Sequence, residues 1–279
     1  MSSTRVAAQV SDLASNQWGL LTTTQAEAEG VSRLQLARLA DAGVIERVDR
    51  GIYGIPAAMD ERTELRAAWL SLEPKVAAEA RLADPVSSGV VSHASAAALF
   101  EIGDLLSEVP EITVSTRKQS RRGIRLHRGA LSPEEVTIAH GLPVTTPART
   151  VADLLRDGHD ASHVAEVAGE ALRRDLVTRR DLAIALEPVA KRHDQPTGAA
   201  MLEYLLDMVG LSEKALVSKL AAILAAANAP SLLDDASARS LLGDETLAEV
   251  VEMTRRIATD SLHAPSGTIE PDEDRSETT

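Results

Sequence analysis

The sequence contains no cysteine, which excludes structural disulfides, thiolate metal sites and cysteine nucleophiles. Aromatic residues are scarce, with two Trp, two Tyr and one Phe, so the cores have to be built from Ala, Leu and Val, a palette that favours helices. No apolar run reaches 18 residues, and the N-terminal stretch "MSSTRVAAQVSDLASNQWG" lacks the apolar centre of a signal peptide. A cytoplasmic protein is expected.

Positive charge is also short. The formal net charge is −13 over 279 residues, and its distribution is uneven. Residues 1–56 are near neutral, with five basic and six acidic side chains, while residues 201–279 carry six basic against fifteen acidic. The only basic segment is 113–149, with seven basic and two acidic residues. Overall acidity discourages non-specific nucleic-acid binding, but charges farther apart than about 8 Å are largely screened in physiological salt, so a local contact face survives.

The head of the chain has the strongest pattern. Residues 4–16 read as a helix. In "TTTQAEAEG" Thr24 is placed to cap a second helix, with Glu27 reaching back and Gly30 closing it. Ser32 caps a third, with Gln35 at its N3 position and Gly43 past its end. "VIERV" and "IYGI" read as strands joined by a turn at Gly51. Three helices and a hairpin make a winged helix-turn-helix.

On the third helix Leu36, Leu39 and Ala40 share the inward face, which leaves Arg33, Leu34, Gln35 and Arg38 outward. In helix-turn-helix proteins that N-terminal face enters the major groove. Arg can bond guanine, Gln adenine, and Leu can touch a thymine methyl. Arg47 and Arg50 on the wing, with Thr23, Thr24 and Ser32 at helix starts, are placed for phosphate or minor-groove contact. These nine residues are the candidate DNA-binding set. The competing readings are helix caps, solvated surface arginines, and a winged helix that binds protein instead of DNA.

The expected architecture is α+β and mostly helical: a winged helix-turn-helix over 1–57, a helical connector over 58–88, a mixed α/β domain over 89–200, a helical extension over 201–263 and a disordered acidic tail over 264–279. Within the mixed domain, "EITVST" and "GIRLHR" read as alternating strands, "SPEE" as a helix start, "GLPVTT" as a strand and "PARTVADLL" as a helix. Helices are also expected over 161–174, 178–191, 198–209, 212–228 and 244–261. Arg117, Lys118, Arg121, Arg122, Arg125 and Arg128 form a candidate auxiliary basic surface for nucleic acid or a protein partner, unless they are simply a solvated hairpin. Arg149 and Asp153, spaced i,i+4, read as an ion pair that fixes a helix to the sheet.

Nothing points to catalysis. His93, His127 and His140 fall at spacings that match no compact metal motif, and His93 reads as a capping or packing residue. The only Glu-x-Lys is Glu73-Pro74-Lys75, in a proline-broken connector, and no glycine-rich phosphate loop or nucleophile elbow occurs. No catalytic residue, metal ligand or cofactor is expected.

The stretch "GLLTTTQAEAEGVSRLQLARLADAGVIERVDRGIYGI" resembles the N-terminal winged helix of the AbiEi family, antitoxins of type IV toxin–antitoxin systems. The likeness continues through "VVSHASAAALFEIGDL", "TRKQSRRGIRLHRGAL" and "GLPVTTPARTVADLL", over roughly residues 15–185, and stops before 210. It implies a repressor that binds inverted repeats in its own promoter and counteracts a nucleotidyltransferase toxin, with direct toxin contact left open. An orphan regulator without a toxin is the alternative. Double-stranded DNA and the toxin are the expected partners, with no membrane.

Overall fold

Val6, Val10 and Ala14, four residues apart, bury one side of α1 (Ser3–Ser15), the apolar stripe of a surface helix. The chain then forms β1 (Leu20–Thr22), α2 (Thr23–Ala28), α3 (Arg33–Asp41), β2 (Glu46–Asp49) and β3 (Ile52–Gly54). This computed structural model describes residues 3–116, 123–226 and 247–254. The three strands make an antiparallel sheet in the order β1-β3-β2.

Two features of the head correct the sequence expectation. The first is β1, a strand too short to show any alternation; it exists because Leu20 and Thr22 pair with Gly54 and Ile52. The second is the cap of α2. Thr22, not Thr24, is the N-cap: its hydroxyl accepts from the Gln25 amide at 3.1 Å, and the Gln25 side chain accepts from the Thr22 amide at 3.0 Å. The capping box therefore ends at Gln25 and leaves Glu27 free for another partner. The cap of α3 is as expected, with Ser32 and Gln35 bonded reciprocally.

Alternation along the head sheet gives it two buried faces. Leu21 and Tyr53 pack with α1, α2 and α3, while Leu20 and Ile52 pack on the other side with Trp69 and Leu70. Trp69 lies on α4 (Thr63–Leu72), which ends before Pro74 and is followed by α5 (Ala78–Leu82). A buried amide pair ties these segments to the head. Gln17 and Gln25 bond each other through both amides at 3.0 and 2.9 Å, and also bond the backbone of Leu20, Val76 and Ala78. Residues Met1–Val209 thus form one unit by their contacts.

The second sheet is built from β4 (Val90–Val91), β5 (Glu111–Val114), β6 (Arg125–Arg128), β7 (Val136–Ala139) and β8 (Leu142–Thr145), in the order β6-β5-β4-β8-β7. β5 and β6 run parallel, so the two strands do not form a hairpin. β5 is buried on both faces, which its apparent alternation conceals. "SPEE" forms a 3-10 turn instead of opening a helix, and leads into β7, an unanticipated strand antiparallel to β8. The helices are α6 (His93–Phe100), α7 (Pro147–Asp157), α8 (Ala161–Arg173), α9 (Arg179–Ala190) and α10 (Gly198–Met208). α9 and α10 approach so closely that a Cβ on Gly198 would lie 2.0 Å from the Ala183 carbonyl oxygen, so glycine is required there.

The unit Gly210–Thr279 contains α11 (Glu213–Ala226), whose first turn is bonded by the Ser212 hydroxyl. A helical stretch over 247–254 packs on it through Val217, Ala221, Leu224, Leu247 and Val250. The expected acidic tail lies outside the described residues. Among the described residues no helix is long and apolar enough to cross a membrane.

Candidate functional site

The α2–turn–α3 pair places the outward face of α3 as its buried residues dictate. Leu36 and Leu39 are buried, and the opposite side carries Arg33, Leu34 and Arg38, all exposed. Leu34 is 62% exposed. Arg38 is directed to solvent one turn further along.

Two members of the expected set are less free than the sequence suggests. The Arg33 guanidinium bonds Glu27 at 2.7 Å, the carboxylate released by the capping box at Thr22. Gln35 is half-buried, and its amide oxygen accepts from the Ser32 amide at 2.8 Å and the Ser32 hydroxyl at 2.9 Å. A bidentate contact from Gln35 to adenine would have to open that cap.

The wing is fastened beside α2. Gly51, at φ 78, lets the turn between β2 and β3 close, and the Thr23 amide donates to the Gly51 carbonyl at 2.8 Å. That bond uses the Thr23 amide, so only its hydroxyl can reach a phosphate; Thr23 and Thr24 are both half-buried. Arg47 and Arg50 are exposed, and among the described residues the guanidinium groups of Arg38, Arg47 and Arg50 form no ion pair. A bulge between Arg47 and Asp49 bends β2 at this point.

Of the auxiliary basic set, Arg117, Lys118, Arg121 and Arg122 lie outside the described residues. Arg128 is exposed. Arg125 lies between Glu111 and Asp157, 3.8 Å from the first and 4.0 Å from the second.

The same sheet edge brings together residues that sequence spacing keeps apart. His93 and His127 stack with ring centroids 3.5 Å apart and 13° between their planes. The His127 ring donates to buried Glu111 at 2.6 Å, and His93 Nδ1 lies 3.0 Å from the Ser92 hydroxyl. Burial, with His127 adjacent, pulls His93 down to about 4 despite Asp153, Glu111 and Asp157 nearby. Burial works against ionisation of Glu111, but its bond to His127 and the surrounding positive charge hold it below the usual carboxylate range. Only the pairing of β5 with β6 could have revealed this cluster, because it sets Thr113 opposite His127. His140 is elsewhere, in the β7–β8 turn at φ 49.

Arg149 does what its spacing suggests. It bonds Asp153 at 2.8 Å and Glu135 at 2.6 Å, joining α7 to the turn before β7. Burial opposes the charge on Arg149, but the two carboxylates raise it above the usual arginine value.

Two separate stretches of the chain match family models. Residues 8–56 match a family of AbiEi antitoxin transcriptional regulators, and residues 74–208 match the AbiEi antitoxin C-terminal domain. The chain belongs to the AbiEi antitoxin family. No curated protein matches it. Among solved structures, the RV2827C protein from Mycobacterium tuberculosis is similar at 17% identity and a TM-score of 0.44, over 73% of this chain and 77% of that one. An AbiEi protein is a DNA-binding regulator and antitoxin, and neither matched family is enzymatic.

Proposed function

We propose that this AbiEi protein represses its own operon by binding inverted repeats in the promoter, and that it counteracts a nucleotidyltransferase toxin in a type IV system. Residues 1–57 find DNA, and residues 89–200 supply the antitoxin activity across the connector 58–88. The carrying observation is the trio Arg38, Arg47 and Arg50, exposed and without an ion pair among the described residues, set with Leu34 on α3 and on the wing that the Thr23–Gly51 bond fastens to α2. Arg38 and Leu34 read base edges, with Arg33 joining once it leaves Glu27, while Arg47 and Arg50 take the backbone. Thr23, Thr24 and Ser32 hold helix starts near the phosphates.

The head carries five basic and six acidic residues, so one copy gains little from counterion release. Paired half-sites one helical turn apart then supply the affinity. The antitoxin half is tested in cells. Co-expression of this chain relieves growth arrest by a nucleotidyltransferase encoded beside it, and an Arg38→Ala, Arg47→Ala double variant still does so, since DNA binding and neutralisation lie in different regions. Persistent arrest with wild-type protein present contradicts the antitoxin reading.

A further inference from the structure

The DNA-binding reading leaves the histidine cluster unused. β4 ends at Val91, and after Ser92 α6 begins at His93 with a φ of 54, a left-handed conformation that an L residue adopts only where its surroundings impose it. β6 lays the His127 ring on that of His93, and Asp157 arrives from the end of α7. One ligand atom from each of the three lies within 4.8 Å of the others. We propose that His93, His127 and Asp157 form a binding site for a divalent transition-metal ion of the zinc class.

Two imidazoles and a carboxylate are a zinc ligand set that leaves the fourth position open for water or a partner's side chain. Each imidazole already has one nitrogen held by the protein. His127 Nε2 bonds Glu111, while His93 Nδ1 meets Ser92, whose hydroxyl also accepts from Thr113 at 2.8 Å. That leaves one nitrogen on each ring for an ion, the arrangement in which outer partners orient metal-binding histidines.

The charge around the cluster points the same way. The carboxylates facing His93 are those of Asp153, Glu111 and Asp157, and the Asp153 side chain is 3% exposed with its Oδ2 lacking a hydrogen-bond partner. The cations facing them are Arg125 at Glu111 and Asp157, and Arg149 and Arg156 at Asp153 Oδ1, while the His159 ring lies 3.9 Å from Asp157. A buried carboxylate oxygen without a partner is costly, and positive charge added near His93 reduces that cost.

Tetrahedral coordination at about 2.0–2.1 Å puts two ligand nitrogens about 3.3 Å apart, and the ligand atoms of His93, His127 and Asp157 already lie within 4.8 Å of one another. Parallel rings aim their lone pairs side by side, so binding needs rotation of one ring and no movement of the backbone. Asp157 and Arg125 are 37% and 57% exposed. They provide the entry path, and Arg125 swings to solvent as the ion takes its place.

The test uses full-length protein stripped by a chelator and titrated with Co²⁺ and Zn²⁺, read by cobalt visible absorption, by metal content after dialysis and by thermal melting. Wild type binds one equivalent and, at a hundredfold excess over Kd, melts roughly 5 °C or more higher. Asp157→Asn and His127→Gln, each first shown to melt cooperatively without metal, lose that equivalent. Glu111→Gln weakens it roughly 10- to 100-fold. If His127→Gln does not fold, Asp157→Asn carries the test, since that side chain is partly exposed. No bound equivalent in the wild type, or binding unchanged in Asp157→Asn, overturns the proposal. Promoter affinity measured on the same samples keeps it separate from the DNA-binding reading.

Discussion

At the scale of single residues, Arg33 is the instructive case. Its sequence position makes it a base reader, yet in the structure it is held by Glu27 at 2.7 Å, with the arginine side chain 78% exposed. An ion pair that exposed is weak and screened by salt, so DNA can draw Arg33 away, against competition from the carboxylate. Replacing Glu27 by Gln is therefore expected to raise promoter affinity severalfold. The gain should vanish in an Arg33→Ala background, which fluorescence anisotropy on the four combinations would show; an equal gain in both backgrounds would mean that Glu27 acts only through net charge. The link between Glu27 and Arg33 was not legible in the sequence, because the capping box seemed to need Glu27. Once Thr22 and Gln25 take that role, Glu27 is left on the surface six residues from its partner.

At the scale of elements, the helices were the readable part. Most of their boundaries fall within a residue or two of those read from periodicity, caps and prolines, as α7 with Thr146 and Pro147 illustrates. Strands were harder to read. "GVVSH" reads as a short strand and holds β4, but β1, with three residues, is too short for a period of two to emerge, and β7 follows a 3-10 turn where the sequence reads as a helix start. β1 depends on a partner about thirty residues away, and the His93–His127 stack likewise depends on the parallel pairing of β5 with β6. The corrected cap gives a direct test of one such element. Thr22→Ala removes the α2 cap and the bond to the Pro74 carbonyl, and should cost about 1–2 kcal/mol in denaturant unfolding. Thr24→Ala should cost no more than about 0.5 kcal/mol. The reverse order would restore the sequence-derived placement of the cap.

At the scale of the whole molecule, a net charge of −13 and a DNA-binding head are compatible because the negative charge is concentrated elsewhere. Fifteen of the 42 acidic residues lie after position 200, while the head is nearly neutral and directs Arg38, Arg47 and Arg50 outward. Such a molecule is expected to bind random DNA poorly and its own operator in a salt-sensitive way. The most direct measurement is the affinity of the full-length chain for its own promoter and for a shuffled duplex across a salt series, for wild type and for Arg38→Ala, Arg47→Ala. The account predicts a clear preference for the promoter that falls with salt, and loss of that preference in the double variant. The variant's salt slope should also be shallower, by roughly one for each phosphate it no longer neutralises. Equal affinity for both duplexes, or an undiminished preference in the double variant, would contradict it.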